Sequence, residues 1–424
     1  MQDAQAAAVK VLTRVLAGHN LDQALAATAD HPSPPHARAL VQDLCYGVLR
    51  HLGLLDAQLA RLLAKPLTDD AVRQLMRIAL YQLQYTRAAP HAVVDQAVRA
   101  CTPLHAVAAK GLVNAVLRAF LRRRSDMAAC ANGSDTAKYS FPQWWVARMR
   151  ACYPLHADTA LRAGNEHPPL TLRVNARRGT REAYFARLSA AGIAARTVGA
   201  QGVILIKPMP AKEIPGLAEG LVSVQDAAAQ WAAPLLDAHS GMRVLDACAA
   251  PGGKSTHLLE CADIALTALD NDATRLERIE SNLKRLALRA NVLCGDAAHP
   301  QAWWDGQPFD RILADVPCTA SGVTRRHPDI KWTRRPSDIG KFTTVQQTIL
   351  DALWQTLAAG GKFLYVTCSV FEEENQLQIK RFLERHSDAR ELTLPGAPFT
   401  PGYPGQILPD TEHDGFFYAL LQKA

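Results

Sequence analysis

The chain has 424 residues, enough for two or three domains with cores of their own. Its content of 48% apolar and 21% charged residues is that of an ordinary globular protein, which excludes an intrinsically disordered chain, and no apolar run approaches the ~20 residues that would span a bilayer. A formal net charge of +7, with a pI near 8.9, suits a polyanionic partner.

Asp3 and a single basic residue before Val11, with no apolar core or cleavage site, do not read as a signal peptide. Residues 1–124 are expected to be helical throughout. Ala8, Val11, Leu12 and Val15 fall at helical spacing, as do Val41, Leu44, Cys45 and Val48; Val72, Leu75, Met76 and Ala79; and Val113, Val116, Leu117 and Phe120. Breaks at residues 31–35, Lys65-Pro66 and Ala89-Pro90 separate these stripes, whose apolar faces must pack on one another as an all-α bundle. Cys45, within a stripe, reads as core.

Arg122, Arg123 and Arg124 close the last of these helices, either as a solvated face or as an RNA contact. Residues 125–140 are rich in turn formers without periodicity and read as a linker. Phe141-Pro142 opens a helix carrying Trp144, Trp145, Val146 and Met149. It begins a small α+β unit expected over residues 141–240, with strands at 170–174, 194–198 and 202–206 and a helix at 181–191. Arg173, Arg177, Arg178 and Arg181 lie at one end of that unit and are candidates for holding a single-stranded RNA backbone.

From residue 241 to 424, strands and helices alternate, the pattern of a mostly parallel, doubly wound α/β sheet. Strands are expected at 243–247, 265–269, 290–293, 310–314 and 362–366, with 390–394 and 416–421 after them. The clearest helices cover 273–286, 343–357 and 372–385.

The first strand runs into a small-residue turn and then a helix. Without Cβ atoms, Gly252 and Gly253 let a ligand approach the backbone, and the helix start offers free N–H groups. The turn lacks the G-x-G-x-x-G of dinucleotide sites. Gly253-Lys254-Ser255 ends like a phosphate-binding loop, but Cys248 stands where that loop needs glycine. A nucleoside triphosphatase therefore stays as an alternative, as does a non-catalytic RNA-binding or antitermination adaptor.

Ligands of an open parallel sheet sit beyond the C-terminal strand ends. There the sequence places Asp246, Asp270, Cys294-Gly295-Asp296, Asp315-Val-Pro-Cys318 and Thr367-Cys-Ser369. Asp270 stands at the distance for ribose hydroxyls, and Asp296 could accept from an exocyclic amine. A single such Asp is often only a turn or cap residue; several on one rim favour a nucleoside-containing cofactor, with S-adenosyl-L-methionine the best candidate. Cys318 and Cys368 at the same rim suggest a thiolate nucleophile. Nine cysteines without a C-x-x-C pair argue against a disulfide framework or a zinc site, so no metal is expected and the cytoplasm is the expected compartment.

Asp246-Ala-Cys-Ala-Ala-Pro-Gly-Gly-Lys254, Asp315-Val-Pro-Cys-Thr-Ala-Ser-Gly322, the segment Arg325-Arg-His-Pro-Asp-Ile-Lys-Trp332, and Thr367-Cys-Ser369 followed by Glu374-Asn375 resemble the RNA cytosine-5 methyltransferases of the NOL1/NOP2/Sun family. Residues 1–124 are similar to the NusB fold, most clearly at Val113-Asn-Ala-Val-Leu-Arg118. Together they resemble the bacterial branch of that family that methylates cytosine in 16S ribosomal RNA of the small subunit. The one departure is Val316, where many members carry Ala. The resemblance implies a NusB-like bundle, a small α+β unit and a Rossmann-like methyltransferase domain. It implies Cys368 as nucleophile, Cys318 in product release and Asp315 on the cytosine edge. Cys248, Ala249, Ala250, Pro251, Gly252, Gly253, Lys254, Asp270, Asp296 and Asp315 would line the S-adenosylmethionine pocket. A thiolate added to C6 would make C5 nucleophilic. The target base must leave its stack to reach such a site, and Arg325, Arg326, Lys331, Arg334 and Arg335 are candidates for the flanking phosphates.

Overall fold

The structure, a computed structural model, describes residues 2–28 and 35–424, so most of the expected break at 31–35 lies outside the described residues. The chain forms two compact units, residues 1–166 with 324–335, and residues 167–323 with 336–424.

The first unit is all helical. Helices Gln2–Leu16, Pro35–Leu62, Asp70–Tyr85, Pro90–Ala100 and Lys110–Arg122 bury the expected stripes in one core, Cys45 included. Asp69 caps the third of these through the N–H groups of Ala71 (2.8 Å) and Val72 (3.1 Å), and Pro90 opens the fourth.

The expected linker at 125–140 is instead folded onto this core. Its turn formers are helix caps: the Ser134 hydroxyl accepts from Ala137 N–H at 3.1 Å to start Asp135–Tyr139. Met127 is buried, and its carbonyl takes a bond from Gln58 Nε2 at 3.1 Å. A Cβ on Gly53 would lie 2.1 Å from the Thr136 carbonyl, so glycine is what lets this segment sit against helix Pro35–Leu62. Helices Gln143–Cys152 and Ala157–Ala163 also belong to the helical unit, with Trp145, Val146 and Met149 buried.

Residues 324–335 join the same unit. Lys331 is fully buried there, its Nζ donating to the Arg50 carbonyl (2.9 Å) and Asn165 Oδ1 (2.7 Å). Arg325 is equally buried, with its carbonyl accepting from Arg50 Nη2 at 3.0 Å. Trp332 Nε1 donates to the Leu49 carbonyl at 2.7 Å. The expectation that Arg325 and Lys331 reach RNA phosphates is therefore corrected: their charges face protein interior.

In the second unit, strands β1 (Leu170–Val174), β2 (Ala195–Val198), β3 (Gly202–Leu205) and β4 (Val222–Val224) make an antiparallel sheet in the order β2-β3-β1-β4. Arg173, expected on an RNA surface, is fully buried. All five of its N–H donors are used: Nε and Nη2 on Glu260 (3.0 and 2.8 Å), Nη2 also on Thr256 Oγ1 (3.2 Å), and Nη1 on Gln225 Oε1 (2.5 Å) and the Gly253 carbonyl (2.7 Å). Arg177 and Arg178 bond backbone carbonyls of Ala262 and Leu286, at 2.9 and 3.1 Å.

The large sheet comprises β5 (Arg243–Ala247), β6 (Ala265–Asp270), β7 (Asn291–Cys294), β8 (Phe309–Asp315), β9 (Leu357–Thr367), β10 (Ala389–Leu392), β11 (Gln406–Ile407) and β12 (Phe416–Lys423). Its order is β10-β12-β9-β8-β5-β6-β7, with β11 on β12; β7 to β9 are parallel across the sheet, and β10, β11 and β12 antiparallel. The chain winds outward from β5 through β6 to β7, then crosses to β8. The β5/β8 seam is thus the switch point beside which such sheets bind ligands. Helix 343–357 of the sequence reading spans Pro336–Trp354, and 372–385 splits into a short 3-10 turn and helix Gln376–Arg385.

Candidate active site

The rim over the switch point is built from three strand ends. β5 ends in the turn 248–254, where Cys248 (φ +61°) and Gly252 (φ +91°) both take the left-handed region. The turn is held from outside: Ala250 N–H donates to Asp270 Oδ2 (3.0 Å), Arg275 Nη2 to the Ala250 carbonyl (3.1 Å), and Asn282 Nδ2 to the Pro251 carbonyl (3.0 Å). Helix Gly253–Cys261 follows.

Asp246 is buried, and Oδ2 accepts from the Ser255 hydroxyl at 2.5 Å while Oδ1 has no partner. Burial raises its pKa to about 7, against the lowering effect of Ser255, with the nearby Asp315 charge adding to the rise.

Cys248, Asp270 and Asp296 face one cavity of about 280 Å³, together with Asn271, Arg275, Pro317 and residues 345, 348 and 349 of helix Pro336–Trp354. Asp270 also accepts from Asp272 N–H (3.2 Å) and pairs with Arg275 (3.4 Å), leaving lone pairs for a ligand hydroxyl. Asp296 is half-exposed and closes a turn by accepting from Ala298 N–H at 2.9 Å. Pro251 and Gly253 instead border a second cavity, of about 430 Å³, beside Ser223, Asn282 and Arg285. Ala249 and Ala250 are buried, so the turn offers the first cavity little beyond Cys248.

Lys254 leaves the turn toward the cysteines. Its Nζ pairs with Asp315 Oδ2 at 2.5 Å and lies 5.4 Å from the Phe416 ring centre. Burial opposes the ammonium charge, but the Asp315 carboxylate outweighs it and the pKa is raised, with Cys368 contributing in the same direction.

β8 and β9 are parallel neighbours with Asp315 opposite Val366, so the residues just beyond them, Cys318 and Cys368, emerge side by side. Their sulfurs are 3.4 Å apart. The hydrogen bond to Cys368 and burial push the Cys318 thiol well above the usual thiol range. The loops are tied by Gly322 N–H to the Cys368 carbonyl (2.9 Å) and by Ser321 Oγ to Ser369 Oγ (2.9 Å). Beneath them lies the fully buried Glu374. Asn375 accepts from the Thr367 hydroxyl at 2.6 Å.

The family described as 16S rRNA methyltransferase RsmB/F matches residues 233–422, the NusB family residues 2–122, and the ferredoxin-like domain of RsmF/B-like methyltransferases residues 141–212. Ribosomal RNA small subunit methyltransferase B of Vibrio cholerae is 45% identical over 432 residues, covering 100% of this chain and 98% of that protein. The chain belongs to the RsmB/F methyltransferase family. The protein of the same name from Escherichia coli O7:K1 is 46% identical over 392 residues, 91% of this chain and 90% of that one. Among solved structures, PH0851 superposes with a TM-score of 0.79 over 100% of this chain and 99% of its own, at 23% identity, a likeness of fold. A methyltransferase homologue from Pyrococcus horikoshii gives 0.60 over 68% of this chain and 97% of its own, at 27% identity.

Membership of the RsmB/F family displaces the triphosphatase and adaptor alternatives. Sequence reasoning did not reach Asn271, Arg275 or Gln346, and it quoted Glu374 without a role. Arg275 and Gln346 lie on helices whose exposed and buried faces look ordinary in the letters. Glu374 carried one signal, an acidic residue six positions after Cys368 in a segment that the fold buries completely.

Among the described residues, no group of three or more His, Cys, Asp or Glu is placed to hold a metal, and no helix is long and apolar enough to cross a membrane.

Proposed function

We propose that the protein transfers a methyl group from S-adenosylmethionine to C5 of a cytosine in 16S ribosomal RNA, through a covalent bond between Cys368 and C6. The observation that carries this reading is the 3.4 Å approach of two cysteines at the end of the parallel sheet. The small-subunit RNA is the substrate in the names of the relatives, and acting on it would place the protein in the cytoplasm.

S-adenosylmethionine would supply an electrophilic methyl group. The fit rests on the 280 Å³ cavity with its carboxylates, the adjoining turn with two left-handed residues, and the unpartnered buried oxygen of Asp246. Asp270 would take ribose hydroxyls and Asp296 the adenine amine, with Cys248 against the rest.

Cytosine C5 is a weak nucleophile. Cys368, once its thiol proton has passed to solvent, adds to C6 as the thiolate and drives electron density to C5. Asp315, paired with Lys254 at 2.5 Å, would bond to the cytosine ring edge. Once Cys368 is bonded to carbon its charge is gone, and with it the largest influence holding the proton on Cys318. Cys318 is then freed to serve as base toward the C5 proton.

Bisulfite sequencing of 16S RNA incubated with the protein and S-adenosylmethionine tests the reading. One protected cytosine is expected with the native protein and none with Cys368→Ala. Methylation at another atom, or undiminished protection with Cys368→Ala, would sink it.

A further inference from the structure

Cys368 directly follows Thr367, the last residue of β9, which is paired with Phe417 in the sheet. Cys318 does not share that support: the last sheet-like bond before it runs from Val316 N–H to the Val366 carbonyl at 3.1 Å. Its two peptide neighbours are held by one buried pair of side chains. Gln346 Nε2 donates to the Pro317 carbonyl (2.9 Å) and to Glu374 Oε1 (3.2 Å). The same Oε1 accepts from Thr319 N–H (2.8 Å), while Oε2 accepts the hydroxyls of Thr319 and Ser369, each at 2.5 Å. Neither Glu374 nor Gln346 is exposed, and helix Pro336–Trp354 and the turn after β9 carry them from opposite sides.

We propose that Glu374 and Gln346 are positioning residues for product release, acting through Cys318; this rests on the reading of Cys318 given above. Attack needs only Cys368 and the base. Release needs a second sulfur at a set place. The Cys318 thiolate takes the C5 proton, the C5–H electron pair forms the C5=C6 bond, and the C6–S pair returns to Cys368. The negative charge passes from one sulfur to the other, and the proton earlier shed by Cys318 goes to solvent. A carboxylate accepting four bonds at fixed angles sets that place better than the irregular loop could by itself, and a displacement of ~1 Å is enough to slow such a step by on the order of 100-fold. Loosening the pair therefore stalls the reaction after methyl transfer rather than before it.

The test uses the full chain with 16S RNA and S-adenosylmethionine, read on a denaturing gel and by methyl incorporation. Glu374→Gln keeps the shape but replaces one acceptor by a donor facing Thr319 or Ser369; Gln346→Met keeps the length and removes the bond to Pro317. Both are expected to retain first-turnover methylation, lose multiple turnover, and build up a protein–RNA band that disappears when Cys368→Ala is added. A fold defect alone lowers methylation and produces no such band. If Cys318→Ala gives the band and these variants turn over slowly without it, or turn over normally, the positioning role is refuted while the reading of Cys318 stands. If Cys318→Ala gives no band, both fall. Should Glu374→Gln fail to fold, Gln346→Met decides.

Discussion

Arg173 and Glu260 form a two-bonded ion pair with neither side chain exposed to solvent, Nε to Oε2 at 3.0 Å and Nη2 to Oε1 at 2.8 Å. It joins β1 of the small sheet to helix Gly253–Cys261, and the same guanidinium holds the Gly253 carbonyl of the cofactor turn. Removing one partner strands a buried charge. Arg173→Ala is expected to lower the unfolding free energy of its unit by about 3–5 kcal/mol, and Arg173→Met with Glu260→Leu to recover most of it. Urea titrations of the two variants check this; equal losses would show that the charges do not act as a pair.

Asp270 braces the turn through Ala250 N–H and also faces the 280 Å³ cavity. Asp270→Ala is expected to weaken S-adenosylmethionine binding by roughly 2–3 kcal/mol, the scale of charged hydrogen bonds. Calorimetry reads this directly, and unchanged affinity removes Asp270 from the site.

Asp246 gives a pH signature. Burial raises its pKa to about 7, above the unfolded value. Between about pH 4 and pH 7 the unfolded chain therefore releases this proton while the folded chain keeps it. The stability that the folded state gains from holding the proton is full below that window and is lost as pH rises through it, by up to ~4 kcal/mol. His257, buried and held well below its usual pKa by burial and by Arg173, acts oppositely: its contribution is present above about pH 6.5 and falls away as pH drops. Asp246→Asn is expected to remove only the first effect. Urea unfolding at pH 5 and pH 8 should show the variant losing less stability than the native protein over that span; parallel losses would show Asp246 ionised throughout.

Lys331 donates to the Arg50 carbonyl and Asn165 inside the helical unit, and burial holds its pKa well below the ordinary lysine value, with Arg50 adding to the effect. Lys331→Ala leaves those acceptors without a donor and opens a void. A loss of about 2–4 kcal/mol is expected in thermal or chemical unfolding. The slope of RNA affinity against salt should not change, because a buried ammonium displaces no counterions. A slope reduced by about one unit would restore Lys331 to the phosphate contacts.

The sequence by itself determined what depends on near neighbours in the chain. Helical stripes such as Leu44, Cys45 and Val48, the strand–turn–helix at residues 243–261, and the strand ends at Asp270, Asp296 and Asp315 follow from periodicity and turn chemistry, which act over a few residues. The pairing of Cys318 with Cys368 could be suggested but not measured, since their 3.4 Å separation depends on the parallel register of β8 and β9.

Tertiary structure decided the fate of the polar residues. Arg173 and Lys331 look in the letters like the exposed Arg177, yet the fold buries them, because acceptors 52 to 281 residues away arrive to receive their donors. The turn formers at 125–140 read as a linker until a core stands beside them to be capped against, and Glu374 meets Gln346 only when helix Pro336–Trp354 delivers it. Apolar burial is written in local spacing. A buried charge is tolerable only with its partners in place, and partners that far along the chain are chosen by the fold.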